Sequence, residues 1–155
     1  MHLPTLLPLL TLPLAAALTP PSLTHLYSLN CTLGAPLPVG AGPHGTRIVL
    51  PITGGTFTGP RLSGTVLNLG ADWGLIDSNG TFSADTRYAL QTTDGAHIFI
   101  RTSGPGQPDG RLHLRLVFET GSARYWWLNN IVAVGVLTSG AGFVSIDAWQ
   151  LESPR

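Results

Sequence analysis

Asp72 and Asp94 are the two residues of this chain best suited to move a proton. Asp72 stands in Gly70-Ala-Asp-Trp73, at the end of an apolar, β-branched run. That step is neither turn chemistry nor a strand ending that calls for an acid. Asp94 precedes Gly95 between two extended runs, where a hairpin turn is the competing use. Burial beside Trp73 would raise a carboxyl's pKa toward working pH, the condition for general acid or base catalysis. Tyr88 and Asn129 could then hold a carbonyl or hydroxyl. Arg47, Trp73, Thr92 and Trp127 complete the set of candidate ligand-binding residues. Arg47 opens the strand before Asp72. Tyr88, Thr92 and Asp94 share parity on one run, and Tyr125, Trp127 and Asn129 share it on another. Each aspartate also has a structural use, in a turn or an ion pair.

Other chemistries find little support. His25, His44, His97 and His113 are scattered, with no i, i+2 or i, i+4 pairing, so no metal site is expected. Cys31 is the single cysteine; it can form no internal disulfide and reads as a small buried hydrophobe. There is no G-x-S-x-G elbow. Gly40-Ala-Gly-Pro-His-Gly45 fits G-x-G-x-x-G in letters only. Prolines surround it and a strand follows it, where a dinucleotide site needs a strand before and a helix after. No cofactor is therefore expected. Charged residues make up 10% of the 155, the formal net charge is zero, and all eight basic residues are arginine without clustering. Nothing here forms an electrostatic footprint for nucleic acid.

The elements that must position these residues read as strands. Residues 24–32, 46–52, 62–69, 86–93 and 96–102 are extended runs, and Asp94-Gly95 joins the last two as a hairpin. In Arg111–Glu119, Leu112, Leu114, Leu116 and Phe118 share one face, the period of a strand with one dry side. Residues 124–138 and 142–151 complete the series. On the last, Phe143, Ser145, Asp147 and Trp149 oppose Val144, Ile146 and Ala148. A Pro/Gly-rich stretch, 33–45, separates the first run from the rest. No capped, 3.6-periodic helix is visible beyond the leader. The expectation is an all-β domain over 18–155: a single closed or nearly closed antiparallel β-barrel of about eight to nine strands. Closure removes edges, and this chain lacks the lysines that often blunt them. Faces mixing aromatics with single polar groups are then expected to line a ligand pocket in the lumen.

Residues 3–18 are apolar and end in small residues, which reads as a signal peptide over 1–17 cut near Ala17. The run is too short and proline-rich to span a bilayer. Asn30-Cys-Thr32 and Asn79-Gly-Thr81 are N-glycan acceptors if the chain is exported. The expected protein is secreted, with no membrane attachment once the leader is removed.

Gly45-x-Arg47, Pro51-Ile-Thr-Gly-Gly-Thr-Phe-Thr-Gly-Pro60, Gly64-x-Val-Leu67, Gly70-Ala-Asp-Trp73, Tyr88-x-Leu-x-Thr92, Asp94-Gly95 and Tyr125-Trp-Trp-Leu-Asn129 together resemble the domain-of-unknown-function 3237 family, from about residue 24 to 151. The resemblance implies a small β-barrel of bacteria and fungi with no agreed reaction, for which isomerase, cyclase or hydrolase roles are entertained. It marks Arg47, Asp72, Trp73, Tyr88, Thr92, Asp94 and Asn129. Many relatives carry a second acid before the Asp-Gly step, where this chain has Thr93.

Three functions remain open. The first is a barrel binding a small, largely apolar ligand in its lumen. The second is a cofactor-independent isomerase, cyclase or hydrolase using Asp72 or Asp94 as acid or base. The third is a structural or surface-interaction protein with a filled barrel, closed by Trp126, Trp127 and Trp149, and with no cavity of roughly 300 Å³, the low end for ligand sites.

Overall fold

The computed structural model describes residues 18–154; the leader read over 1–17 lies outside them. Nine strands follow in order: β1 Ser22–Leu33, β2 Leu37–Gly42, β3 Gly45–Thr58, β4 Ser63–Ile76, β5 Phe82–Thr92, β6 His97–Pro105, β7 Leu112–Glu119, β8 Ala133–Ser139 and β9 Phe143–Glu152. Every pairing is antiparallel. The sheet runs β1-β9-β8-β7-β6-β5-β4-β3-β2, and β1 also pairs with β3. That extra pairing closes a barrel of eight strands and leaves β2 outside it, bonded to β3 alone. The expected all-β barrel is the observed fold.

Alternation builds the wall. Along β7, Leu112, Leu114, Leu116 and Phe118 are buried and the residues between them exposed. β5 alternates too, with Ala84, Thr86, Tyr88, Leu90 and Thr92 buried and the residues between them half-buried. A core of Leu26, Leu29, Phe57, Leu90, Ile98 and Ile100, with others, fills much of the interior. Burial of such side chains contributes about 25 cal/mol per Å² of apolar surface. Two glycines permit the tight curvature. Gly55 (φ 148°) lies where β3 meets β1, and a β-carbon there would strike the Asn30 carbonyl. Gly70 (φ 123°) ends a bulge: four steps of β4, from Val66 to Gly70, oppose two of β5, from Leu90 to Tyr88. A bulge of this kind re-aims the residues that follow it, here Asp72.

Three expectations are corrected. The Pro/Gly-rich stretch is not a bare linker: it forms β2, which runs along β3 in line with β1. Residues 124–130 are not strand. They form a 3-10 helix, Ala123–Asn130, which buries Tyr125 and Leu128 three residues apart. That helix, not a set of tryptophans, plugs one end of the barrel. Trp126 is 57% exposed, and Trp127 and Trp149 are half-buried. On β9 the mixed face points outward, and Ile146 and Ala148 point in.

Candidate functional site

The end of the lumen opposite the 3-10 helix stays open. A cavity of about 100 Å³ is lined by residues from all eight barrel strands, among them Leu29, Leu50, Phe82 and Ile146. Its polar lining is sparse: Asp72, Thr86, Tyr88, Thr102, Ser139 and the Cys31 thiol. No arginine or histidine lines it among the described residues.

Register places the polar groups. Asp72 pairs with Thr86, and Thr86 with Thr102, so three polar side chains form a row across β4, β5 and β6. Tyr88 sits two residues further along β5, about 7 Å deeper at the usual strand rise. Gly70 faces Tyr88 across β4. Phe82 covers Gly74 beside Asp72 at the open end.

Asp72 is 9% exposed. Its Oδ1 accepts the backbone N–H of Asp85 at 2.8 Å. Burial is the largest influence on its carboxyl and holds the pKa above the ordinary 3.8. The Asp85 N–H and the Thr86 hydroxyl oppose that shift, while the Asp85 charge adds to it. The result is a carboxyl at the wall of an apolar cavity that keeps its proton to higher pH than an exposed aspartate does. Tyr88 is 4% exposed. Burial above all, then the neighbouring Cys31, pushes its hydroxyl well above the usual phenol range, against the effect of Thr102. Burial likewise pushes the Cys31 thiol up to about 11, which keeps it protonated and unreactive.

Of the residues singled out in the sequence, Asp72 and Tyr88 meet in the lumen and the others do not. Asp94 lies at the plugged end. It accepts from Thr92 Oγ1 at 2.6 Å, Tyr125 Oη at 2.8 Å and Arg124 Nη1 at 3.0 Å. The Thr92 and Tyr125 hydroxyls hold its pKa below the ordinary value, the opposite sense to Asp72. Asp94 and Thr92 thus tie the 3-10 helix to the β5–β6 hairpin. Asn129 does similar work: its amide accepts from Thr120 N–H at 2.8 Å and donates to Thr120 C=O at 2.9 Å. Trp127 carries the Arg61 guanidinium 3.5 Å above its ring. Arg47 donates to the Trp73 carbonyl at 2.6 Å, and the Trp73 side chain, 37% exposed, lies on the outer wall. Asn30 and Asn79 are both exposed, Asn30 within β1 and Asn79 in the turn after β4.

Thr86 and Thr102 join the site without having been singled out. Thr86 has the parity of Tyr88, and Thr102 that of Ile98 and Ile100, so alternation alone places both inside. No group of three or more His, Cys, Asp or Glu side chains able to hold a metal occurs among the described residues.

Comparison with known proteins gives a consistent result. The family described as "Protein of unknown function (DUF3237)" matches residues 21–112. A relative from Penicillium herquei named "Hydroalkoxylation enzyme phnH" is 33% identical over 134 residues, 86% of each chain. A UPF0311 protein of Rhodopseudomonas palustris is 30% identical over 144 residues, covering 82% of this chain and 94% of its own. Among solved structures, a β-barrel like protein from Acinetobacter baumannii superposes with a TM-score of 0.82 at 36% identity, over 88% of this chain and 99% of that one. An enzyme from Penicillium herquei does so with a TM-score of 0.75 at 33% identity, over 90% and 100%.

Proposed function

The chain belongs to the DUF3237 family of proteins of unknown function, and from that membership and the lumen's chemistry we propose that it is a cofactor-independent acid–base enzyme. The observation that carries this reading is the Asp72 carboxyl, buried on the wall of an apolar cavity that raises its pKa above the ordinary value. The reaction class is hydroalkoxylation, the activity in the name of the Penicillium herquei relative. Its substrate is a neutral molecule bearing both a hydroxyl and a carbon–carbon double bond.

The step balances on one carboxyl. Asp72 gives its proton to an alkene carbon, so a C–H bond forms and the π bond breaks. The substrate hydroxyl oxygen attacks the resulting cation and forms the C–O bond. The oxonium proton returns to the Asp72 carboxylate. Nothing is oxidised or reduced, and the enzyme ends as it began. The apolar lining disfavours water as a competing nucleophile.

The test is cyclisation of hydroxy-alkenes in D2O. Product should have the parent formula plus one non-exchangeable deuterium on the former alkene carbon. Asp72→Asn should lower turnover by at least ~100-fold, the usual weight of a general acid. Full turnover by Asp72→Asn on a substrate the wild type converts would remove Asp72 from that role.

A second reading, a structural or surface-interaction role with a largely filled barrel, is favoured by the cavity's size. About 100 Å³ is below the range of roughly 300 Å³ upward typical of ligand pockets. Native mass spectrometry of the purified protein showing no retained ligand, with no hydroxy-alkene converted, would favour it. Export and glycosylation belong to the proposal too. The supporting features are the apolar leader and the exposed Asn30 and Asn79. A mature N-terminus near Leu18 and glycosidase-sensitive mass at either asparagine are the expected readouts in a secreting host.

A further inference from the structure

The outer wall of the barrel carries an apolar patch that the lumen's chemistry does not use. Leu69 on β4, Phe99 on β6, Val117 on β7 and Trp126 on the 3-10 helix are between 43% and 66% exposed and border one open groove. Large apolar side chains exposed singly need no explanation, but several around one groove mark an interaction site. Register adds a charge pattern. Phe99 pairs with Glu119, and Arg101 with Val117, across β6 and β7. All four side chains are exposed on the outer face, at the corners of a rectangle about 7 Å by 5 Å. One diagonal is apolar, Phe99–Val117. The other joins opposite charges, Glu119 and Arg101. Neither charge is balanced within the chain. Glu119 makes no ion pair among the described residues. Arg101 lies 3.3 Å from Asp85, which also has Arg87 at 3.3 Å, so that cluster carries one positive charge in excess.

We propose that this patch is the interface of a homodimer whose two-fold axis runs along the Phe99–Val117 diagonal, with Glu119 of each protomer facing Arg101 of the other. The arrangement of charges selects a second copy of this chain as the occupant. In a two-fold interface the same patch must complement itself. Turned over about the apolar diagonal, Phe99 and Val117 meet their own counterparts, and each Glu119 meets the surplus arginine. An axis along or across the strands would set each charge against an apolar corner. An axis along the charged diagonal would set Glu119 on Glu119 and Arg101 on Arg101. Only the first choice pairs every corner. Strands of the two protomers then cross at close to a right angle, the orthogonal class of sheet packing. The groove lies toward the plugged end of the barrel, beside Trp126 and Asn129. The dimer therefore leaves the mouth and Asp72 open, and the inference stands whether or not the acid–base reading does.

The test is sedimentation velocity of the purified protein over about 1–100 µM, where an interface of ordinary size gives a measurable monomer–dimer equilibrium. Wild type should dimerise in that range. Glu119→Arg sets arginine against Arg101, and Arg101→Glu sets glutamate against Glu119, so each variant alone should be monomeric. Mixed in equal amounts, the two monomeric variants should form a dimer, because every corner again meets its opposite charge. Val117→Arg, which changes neither original charge, should be monomeric as well. Far-ultraviolet circular dichroism checks that each variant keeps the barrel. A wild type that stays monomeric throughout would overturn the proposal and leave the patch to a different protein. So would a dimer that survives Glu119→Arg or Val117→Arg, or folded charge variants that fail to pair on mixing.

Discussion

Two aspartates in one small domain have been set to opposite electrostatic tasks. Asp72 has few donors and an apolar setting, so its folded pKa lies above the ordinary 3.8. Asp94 has three donors at the surface, so its folded pKa lies below that value. The pH consequences are opposite. For Asp72 the favoured folded form is protonated; its contribution to stability is full below the ordinary pKa and is lost as pH rises through the raised one. Asp72→Asn should therefore gain stability relative to wild type as pH climbs from about 4 toward neutrality, in melting curves taken across that range. A constant difference across the range would mean that burial does not govern this carboxyl. For Asp94 the favoured form is ionised, and its contribution disappears as pH falls below the ordinary value. Asp94→Asn should accelerate amide exchange across residues 123–130 while leaving β4 protected. Uniform exchange over both segments would deny Asp94 its local tie.

At the scale of elements, the 3-10 helix decides where the barrel is closed. Its anchors are Tyr125 and Leu128, which reach the core from the same side of a three-residue turn. Leu128→Ala opens a cavity beneath the plug and should cost about 2–5 kcal/mol, measured by urea denaturation. This element was the least legible in the sequence. Arg124–Asn130 is rich in aromatics, Tyr125, Trp126 and Trp127, which favour strands, and its 3-10 character shows only in the Tyr125–Leu128 spacing. Misreading it placed Trp127 and Asn129 on a shared inner face. The strands were far easier. The leucine alternation of β7 and the Asp94-Gly95 hairpin are visible in the letters because a single dry face leaves a period of two. Alternation does not say which face of a mixed strand is inner. On β9 the small and aliphatic set, Val144, Ile146 and Ala148, turned inward, and the aromatic–polar set turned out. The reason is volume: an eight-stranded barrel has room for side chains to fill its interior and little more. Asp72 and Tyr88 converge through the β4 bulge at Gly70, a register shift that pattern reading does not display.

At the scale of the whole molecule, the barrel depends on β1 touching both β3 and β9. Gly55 lies on the β3 side of that closure, with a left-handed φ of 148° and no room for a β-carbon against Asn30. Gly55→Ala should destabilise the protein by about 1–3 kcal/mol, more than the same change at solvent-facing Gly95, in paired chemical melts. Equal costs at the two glycines would show that the close approach at the seam carries no special weight. β2 remains the strand with a single partner, and Pro38 and the bulge after it guard its free side.

The β1–β9 seam also sets an order of events. Its two sides are the earliest and latest strands to leave the ribosome, so the ring cannot shut until residue 152 has emerged. Until then Leu29 and Cys31 have no Ile146 or Val144 beside them, and the nascent chain carries an unzipped, apolar flank. Asn30, which accepts the Ser145 hydroxyl at 2.6 Å across that seam, is likewise uncovered throughout synthesis. Its β9 partner arrives at the last moment, and its side chain stays exposed even in the closed ring.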